Sequence, residues 1–150
     1  MRLIALTIIT IFLSSCATFG PKTQEYNKEH PYLEVETPEE YHSEAYPVPD
    51  VFAKYPGGKS RLNQHIQMNT RYPIDAYREG VYGDVIITYV VGTDGRTKDI
   101  EAVESPSDDF TDMYKRVIQS MDRWEAAILN GEAVEQKYVI KTRFNKVKRM

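Results

Sequence analysis

Apolar and polar residues alternate most clearly between Gly83 and Val91, where Val85, Ile87, Tyr89 and Val91 interleave with Ile86, Thr88 and Val90. A period of two puts successive side chains on opposite faces of an extended chain, so this stretch predicts a strand with one strongly buried face. Thr93-Asp94-Gly95-Arg96 follows as a hairpin turn, because Asp-Gly accepts the positive φ that tight hairpins demand. The returning strand, Thr97 to Glu104, alternates Ile100 and Val103 with charges and stops at Ser105-Pro106. A third strand runs from Val134 to Asn145 after the Asn130-Gly131 turn. Val134, Gln136, Tyr138, Ile140, Thr142 and Phe144 occupy one face, and Lys137, Lys141 and Arg143 the other.

Helical spacing takes over elsewhere. Leu62 and Ile66 form a modest stripe over Lys59 to Asn69, closed by Tyr72-Pro73, since a residue before proline disfavours helical ψ. Ile74 to Glu79 adds one or two turns, with Ala76 and Tyr77 inward and Gly80 as the glycine that stops them. Phe110, Met113 or Tyr114, Val117, Ile118 and Met121 line one side of a helix predicted over Asp109 to Met121, capped by Ser107 or Asp108. Trp124 lies just past it, the largest apolar body available to seal helix against sheet. The expected class is α+β: a small three-stranded antiparallel sheet with two helices packed on one face.

The N-terminus is patterned differently. Arg2 precedes Leu3 to Leu13, an apolar run interrupted only by Thr7 and Thr10. A spanning helix needs about 20 apolar residues, so this run is too short for one and has the length of a signal-peptide core. Leu13-Ser14-Ser15-Cys16 follows and resembles the bacterial lipobox; Cys16 is the chain's one cysteine. The resemblance implies a signal peptide over residues 1–15, thioether acylation of Cys16 as the new N-terminus, and a membrane-anchored mature chain. The alternative is an ordinary secretory signal in which Cys16 is incidental. Ala17 stands where an aspartate is the usual inner-membrane retention signal, which tilts the expected location to the outer membrane, facing the periplasm.

Charge divides the remainder. Residues 17–50 hold Glu25, Glu29, Glu34, Glu36, Glu39, Glu40, Glu44 and Asp50 against Lys22 and Lys28, a net of −6, whereas residues 51–150 carry a net of +2. With five prolines and few aliphatics, residues 16–50 read as a lipidated cysteine and an acidic tether that buries too little apolar surface to order itself. Tyr26, Tyr32, Tyr41 and Tyr46 leave open whether parts of it dock on the domain or on a partner. The domain is expected to occupy residues 51–150. An overall charge of −3 argues against nucleic acid as a partner, and one cysteine provides neither a disulfide framework nor a Cys-rich zinc site.

Tyr55-Pro56-Gly57-Gly58, Tyr72-Pro73-x-x-Ala76-x-x-x-Gly80-Val81-x-Gly83-x-Val85, Asp94-Gly95, Val103-x-Ser105, Trp124 and Gly131-x-x-Val134 occur in that order. Together they resemble the TonB C-terminal domain, in the form with a Pro-Gly-Gly segment before its first helix, over about residues 51–147. Two departures stand out. The family often has proline just before and shortly after the tryptophan, where this chain has Asp122 and Ala126, so a looser or more helical linkage is expected there. TonB proper also begins with a transmembrane helix that works with a proton-driven motor complex, whereas this chain begins with a lipobox.

The resemblance implies a binding module that takes up a short extended segment of an outer-membrane transporter as an added strand beside its last strand. The expected partner surface is Tyr138, Val139, Ile140, Lys141, Thr142, Arg143, Phe144 and Asn145, with Lys141 and Arg143 favouring acidic flanks, and the tail Lys146, Lys148 and Arg149 following. Asn69, three residues before Tyr72, matches a polar position that in the family lies near the bound segment. The competing reading is a plain sheet edge guarded by its charges.

No cofactor is expected. His30, His42 and His65 form no positional set for Ser–His–Asp chemistry, and Asp108-Asp109 reads as helix-start charge. Gly58-Lys59-Ser60 lacks the glycine that a phosphate-binding loop places five residues earlier. A third class is a structural or assembly lipoprotein unrelated to transport. Direct energy transduction is disfavoured, because a lipid anchor leaves no protein helix in the bilayer to meet a motor.

Overall fold

The computed structural model describes residues 33–35, 39–41 and 45–146. The run Leu3–Leu13, Cys16, the N-terminal part of the tether with Tyr26, His30 and Tyr32, and also His42, Lys148 and Arg149 lie outside the described residues. Among the described residues no helix is long and apolar enough to cross a membrane.

Among the described residues ten elements follow in chain order: β1 (Leu33–Val35), β2 (Glu39–Tyr41), α1 (Gly58–Asn69), α2 (Ile74–Glu79), β3 (Gly83–Val91), β4 (Thr97–Glu104), α3 (Asp108–Gln119), β5 (Ala127–Leu129), β6 (Glu132–Val134) and β7 (Gln136–Phe144). The fold is α+β and antiparallel, as the pattern predicts, but among the described residues the sheet has five strands rather than three. Its order is β1-β7-β3-β4, with β2 also paired to β7. The two extra strands are pieces of the acidic tether, and with them the last strand gains a neighbour on its outer side.

β3 and β7 form the centre, matched residue for residue from Gly83↔Phe144 to Val91↔Gln136. The expected faces of β7 are correct: Gln136, Tyr138, Ile140, Thr142 and Phe144 are all buried, alternating with more exposed neighbours. On that face α1 contributes Leu62 and Ile66, α2 contributes Ala76, and α3 contributes Phe110, Met113, Tyr114, Val117 and Ile118. Among the described residues the helical layer thus has three members rather than two.

The predicted third strand from Val134 onward is divided. Val134 belongs to β6, which pairs with β5 around the Asn130-Gly131 turn as a separate two-stranded sheet, and the long strand starts afresh at Gln136. Three-residue strands hold too few positions to display a period, so the pattern merged β6 into β7.

The linkage after α3 is neither loose nor helical. Tyr55 Oη accepts from the Asp122 N–H at 3.3 Å, a bond a proline at 122 would delete. Trp124 N donates to Gly95 O at 2.8 Å, and Lys54 and Glu125 exchange backbone hydrogen bonds at 2.9 Å in both directions. These bonds fasten the chain after α3 to the chain before α1 and to the turn between β3 and β4.

Candidate functional site

β7 is placed by what lies under it. Its Gln136 Oε1 accepts from the Ala53 N–H at 2.8 Å, Tyr138 Oη donates to Ala53 O at 3.1 Å, and the Thr142 hydroxyl is hydrogen-bonded to Tyr114 Oη. Phe144 packs on Phe110 and Tyr72, with ring centroids at 4.5 and 5.3 Å. Tyr72, from the Tyr-Pro block, also donates from Oη to Val81 O at 2.6 Å, so this part of the block anchors the end of the strand. Tyr55, Trp124, Tyr89 and Tyr138 form a second aromatic group, with Trp124 5.2 Å from Tyr55 and 5.0 Å from Tyr138. Burial raises the hydroxyl pKa of both Tyr89 and Tyr138 above the ordinary tyrosine range. A strand fixed so firmly on its inner face offers its backbone edge in a set geometry.

That edge is occupied. Leu33, Glu34 and Val35 pair with Phe144, Arg143 and Thr142, and Glu39, Glu40 and Tyr41 pair with Val139, Tyr138 and Lys137. The sequence reading treats Tyr138–Asn145 as the outer edge of a three-stranded sheet; instead, the tether lies along most of it. Backbone pairing has no residue signature, so composition alone could not show it. The usable signal was charge, an acidic tether and a basic strand on one chain.

The basic residues are engaged accordingly. Lys141 Nζ stands 3.3 Å from Glu39 Oε2. Arg143 reaches inward along the sheet, donating from Nε to Asp84 Oδ1 at 2.7 Å and from Nη2 to Asp84 Oδ2 at 3.0 Å. This hydrogen bonding holds the Asp84 carboxyl below its usual range. A lowered carboxylate pKa makes the pair's contribution complete above the ordinary aspartate range and lost as pH falls through the lowered value. Lys137 Nζ lies 3.5 Å from Glu101 and 5.7 Å from the Tyr41 ring centroid.

Asn69 closes its own helix, donating from Nδ2 to His65 O at 2.7 Å. His65 Nε2 stands 3.1 Å from Val117 O, a contact that joins α1 to α3. Asp108 and Asp109 occupy the first turn of α3. Among the described residues no group of three or more His, Cys, Asp or Glu gathers as a metal site.

One feature of the site had no sequence signal. Beside β2 and β7 opens a cavity of about 490 Å³, lined by Phe52, Tyr55, Leu62, Trp124 and Tyr138, with Glu40 and Lys59 at its border. Glu40 Oε1 meets Lys59 Nζ there at 3.3 Å.

Residues 68–145 match the family model of the Gram-negative bacterial TonB protein C-terminal. No curated protein matches the chain. Among solved structures it is similar to the solution NMR structure of the Pseudomonas aeruginosa TonB C-terminal domain, at 21% identity and a TM-score of 0.41, over 77% of this chain and 92% of that one. It is also similar to the NMR solution structure of the Helicobacter pylori TonB C-terminal domain, at 20% identity and a TM-score of 0.39, over 59% of this chain and 79% of that one.

Proposed function

We propose, for a chain that belongs to the family of Gram-negative bacterial TonB protein C-terminal domains, that it is an envelope lipoprotein whose domain takes up an extended segment of another envelope protein by strand addition at β7. The supporting observation is that the outer edge of β7 accepts extended backbone over two stretches, antiparallel and in defined register. Such an edge supplies main-chain hydrogen bonds for affinity and side-chain positions for choice. The partner class that fits the family is a TonB-dependent outer-membrane transporter. A lipid on Cys16 would hold the domain at a membrane, and Lys141 would meet an acidic residue of the incoming segment. The domain's work is binding rather than catalysis.

Two measurements test this. Metabolic labelling with a clickable fatty acid is expected to mark the mature chain and to fail on Cys16→Ala; an unlabelled wild type removes the anchor. A photo-crosslinking amino acid at Val139, on the outward face of β7, is expected to capture the extended periplasmic segment of a transporter in the native envelope. Equal capture from Val103, exposed on the far strand β4, would remove β7 as the site. Capture of inner-membrane motor proteins would restore the energy-transducer reading. A proline at Lys141 is a poor test, because Lys141 also pairs with Ile86 of β3 and the substitution endangers the central ladder.

A further inference from the structure

The inner and outer sides of β7 are paired very differently. β3 matches it without interruption over nine residues. The tether matches it in two three-residue pieces whose register does not agree: Val35 faces Thr142 while Glu39 faces Val139, so four steps along the tether correspond to three along β7. Pro38, which has no N–H to donate, lies in that interval. The two described pieces of the resident ladder are therefore short and one residue out of step with each other.

The slip also changes which register positions lie opposite the buried residues of β7. A one-residue shift exchanges the two faces of a strand. Leu33 and Val35 hold register positions opposite the buried Phe144 and Thr142, but beyond the slip it is Glu40 that lies opposite the buried Tyr138. A carboxylate thus borders the largely apolar cavity against Phe52, Tyr55, Leu62 and Trp124, with Lys59 beside it. Charge is well matched, through Glu39 to Lys141 and Glu40 to Lys59. The apolar position is not.

We propose that the tether pieces Leu33–Val35 and Glu39–Tyr41 are resident strands built to be displaced, and that the segment displacing them is an extended acidic peptide that pairs with β7 in a single register and carries an apolar side chain in place of Glu40. This inference rests on strand addition at β7 and adds the competitor already on the edge. A segment in one register would keep a carboxylate near Lys141 and place an aliphatic or aromatic side chain opposite Tyr138, into the cavity. Displacement also moves the first pairing residue among those described from Leu33 to Val51, which bridges Ile128. Extended reach from Cys16 then grows from about 50 Å to about 110 Å, so capture of a partner lengthens the leash.

The test uses fluorescence anisotropy with the full mature chain and a labelled synthetic peptide of residues 31–43, native or carrying Glu40→Leu. The opened variant is Val35→Pro/Glu39→Lys/Tyr41→Pro, with every change in the tether and none in the core; a single Glu39→Lys, which leaves the backbone alone, accompanies it. If the resident strand covers the edge about 90% of the time or more, the opened variant binds the native peptide at least about tenfold more tightly than the wild type. Glu39→Lys shifts affinity in the same direction by a smaller factor, and the Glu40→Leu peptide binds the opened variant more tightly than the native one. Equal binding by wild type and both variants overturns displacement but leaves strand addition standing. A Glu40→Leu peptide that binds no better overturns the apolar position. No peptide binding by the folded opened variant, checked by thermal melting, removes strand addition and this inference together.

Discussion

Trp124→Ala is expected to lower the domain's stability by about 3–5 kcal/mol, the range for deleting a buried large aromatic side chain. Trp124 is 5% exposed and touches three other aromatic rings, at 5.2 Å for Tyr55, 6.4 Å for Tyr89 and 5.0 Å for Tyr138. Its indole Nε1 is buried without a hydrogen-bond partner among the described residues, so its contribution comes from packing. Removal leaves a hole that joins the cavity already present beside β7. At about 4–8 °C per kcal/mol for a domain of this size, the midpoint of thermal unfolding should fall by more than about 12 °C. Far-UV circular dichroism reads this directly, since the mutation deletes the one tryptophan available to fluorescence. Trp124→Phe should recover part of the loss; an alanine variant melting within a few degrees of wild type would contradict the packing account.

Gly95→Ala is the second large effect, and its contrast with Gly131→Ala isolates the cause. Both glycines are in turns at positive φ, +77° and +82°. A Cβ on Gly131 would meet nothing within 4 Å, so that substitution carries only the backbone penalty, about 1–2 kcal/mol. A Cβ on Gly95 would stand 2.0 Å from the carbonyl oxygen of Trp124, and that backbone is held by the Trp124 N–H bond to Gly95 O. Overpacking against fixed backbone adds about 1–3 kcal/mol more. Chemical denaturation of the two variants should therefore separate them by about 2 kcal/mol, with Gly95→Ala the weaker. Equal losses would mean that the turn moves away from Trp124 at little cost.

The elements with a repeating face were legible before any coordinates. β3 and the stripe of α3 recur at one spacing over nine and twelve residues, enough for the pattern to exceed chance composition. The same alternation placed Tyr138, Ile140, Thr142 and Phe144 inward. The short pieces were not legible: β1, β2, β5 and β6 have three residues each, and three residues cannot show a period. Asp122 was legible only as a departure from proline; its reason, the N–H given to Tyr55 across 67 residues of chain, is a contact between distant segments.

Arg143 and Glu40 show where the boundary lies for the candidate site. Sequence placed Arg143 on the outward face and offered it to a partner's acid, whereas the register of β3 against β7 puts Asp84 beside it. Glu40 read as one acid among eight in the tether, and only a one-residue slip along β7 sets it against Tyr138 and the cavity. The sequence by itself determined what each residue can bury, since hydrophobic period and turn chemistry act over a few neighbours and are written into them. Only the tertiary structure decided which edge is open and what lies on it, because backbone hydrogen bonds pair any two extended segments and their choice depends on register, loop length and the charges brought opposite one another.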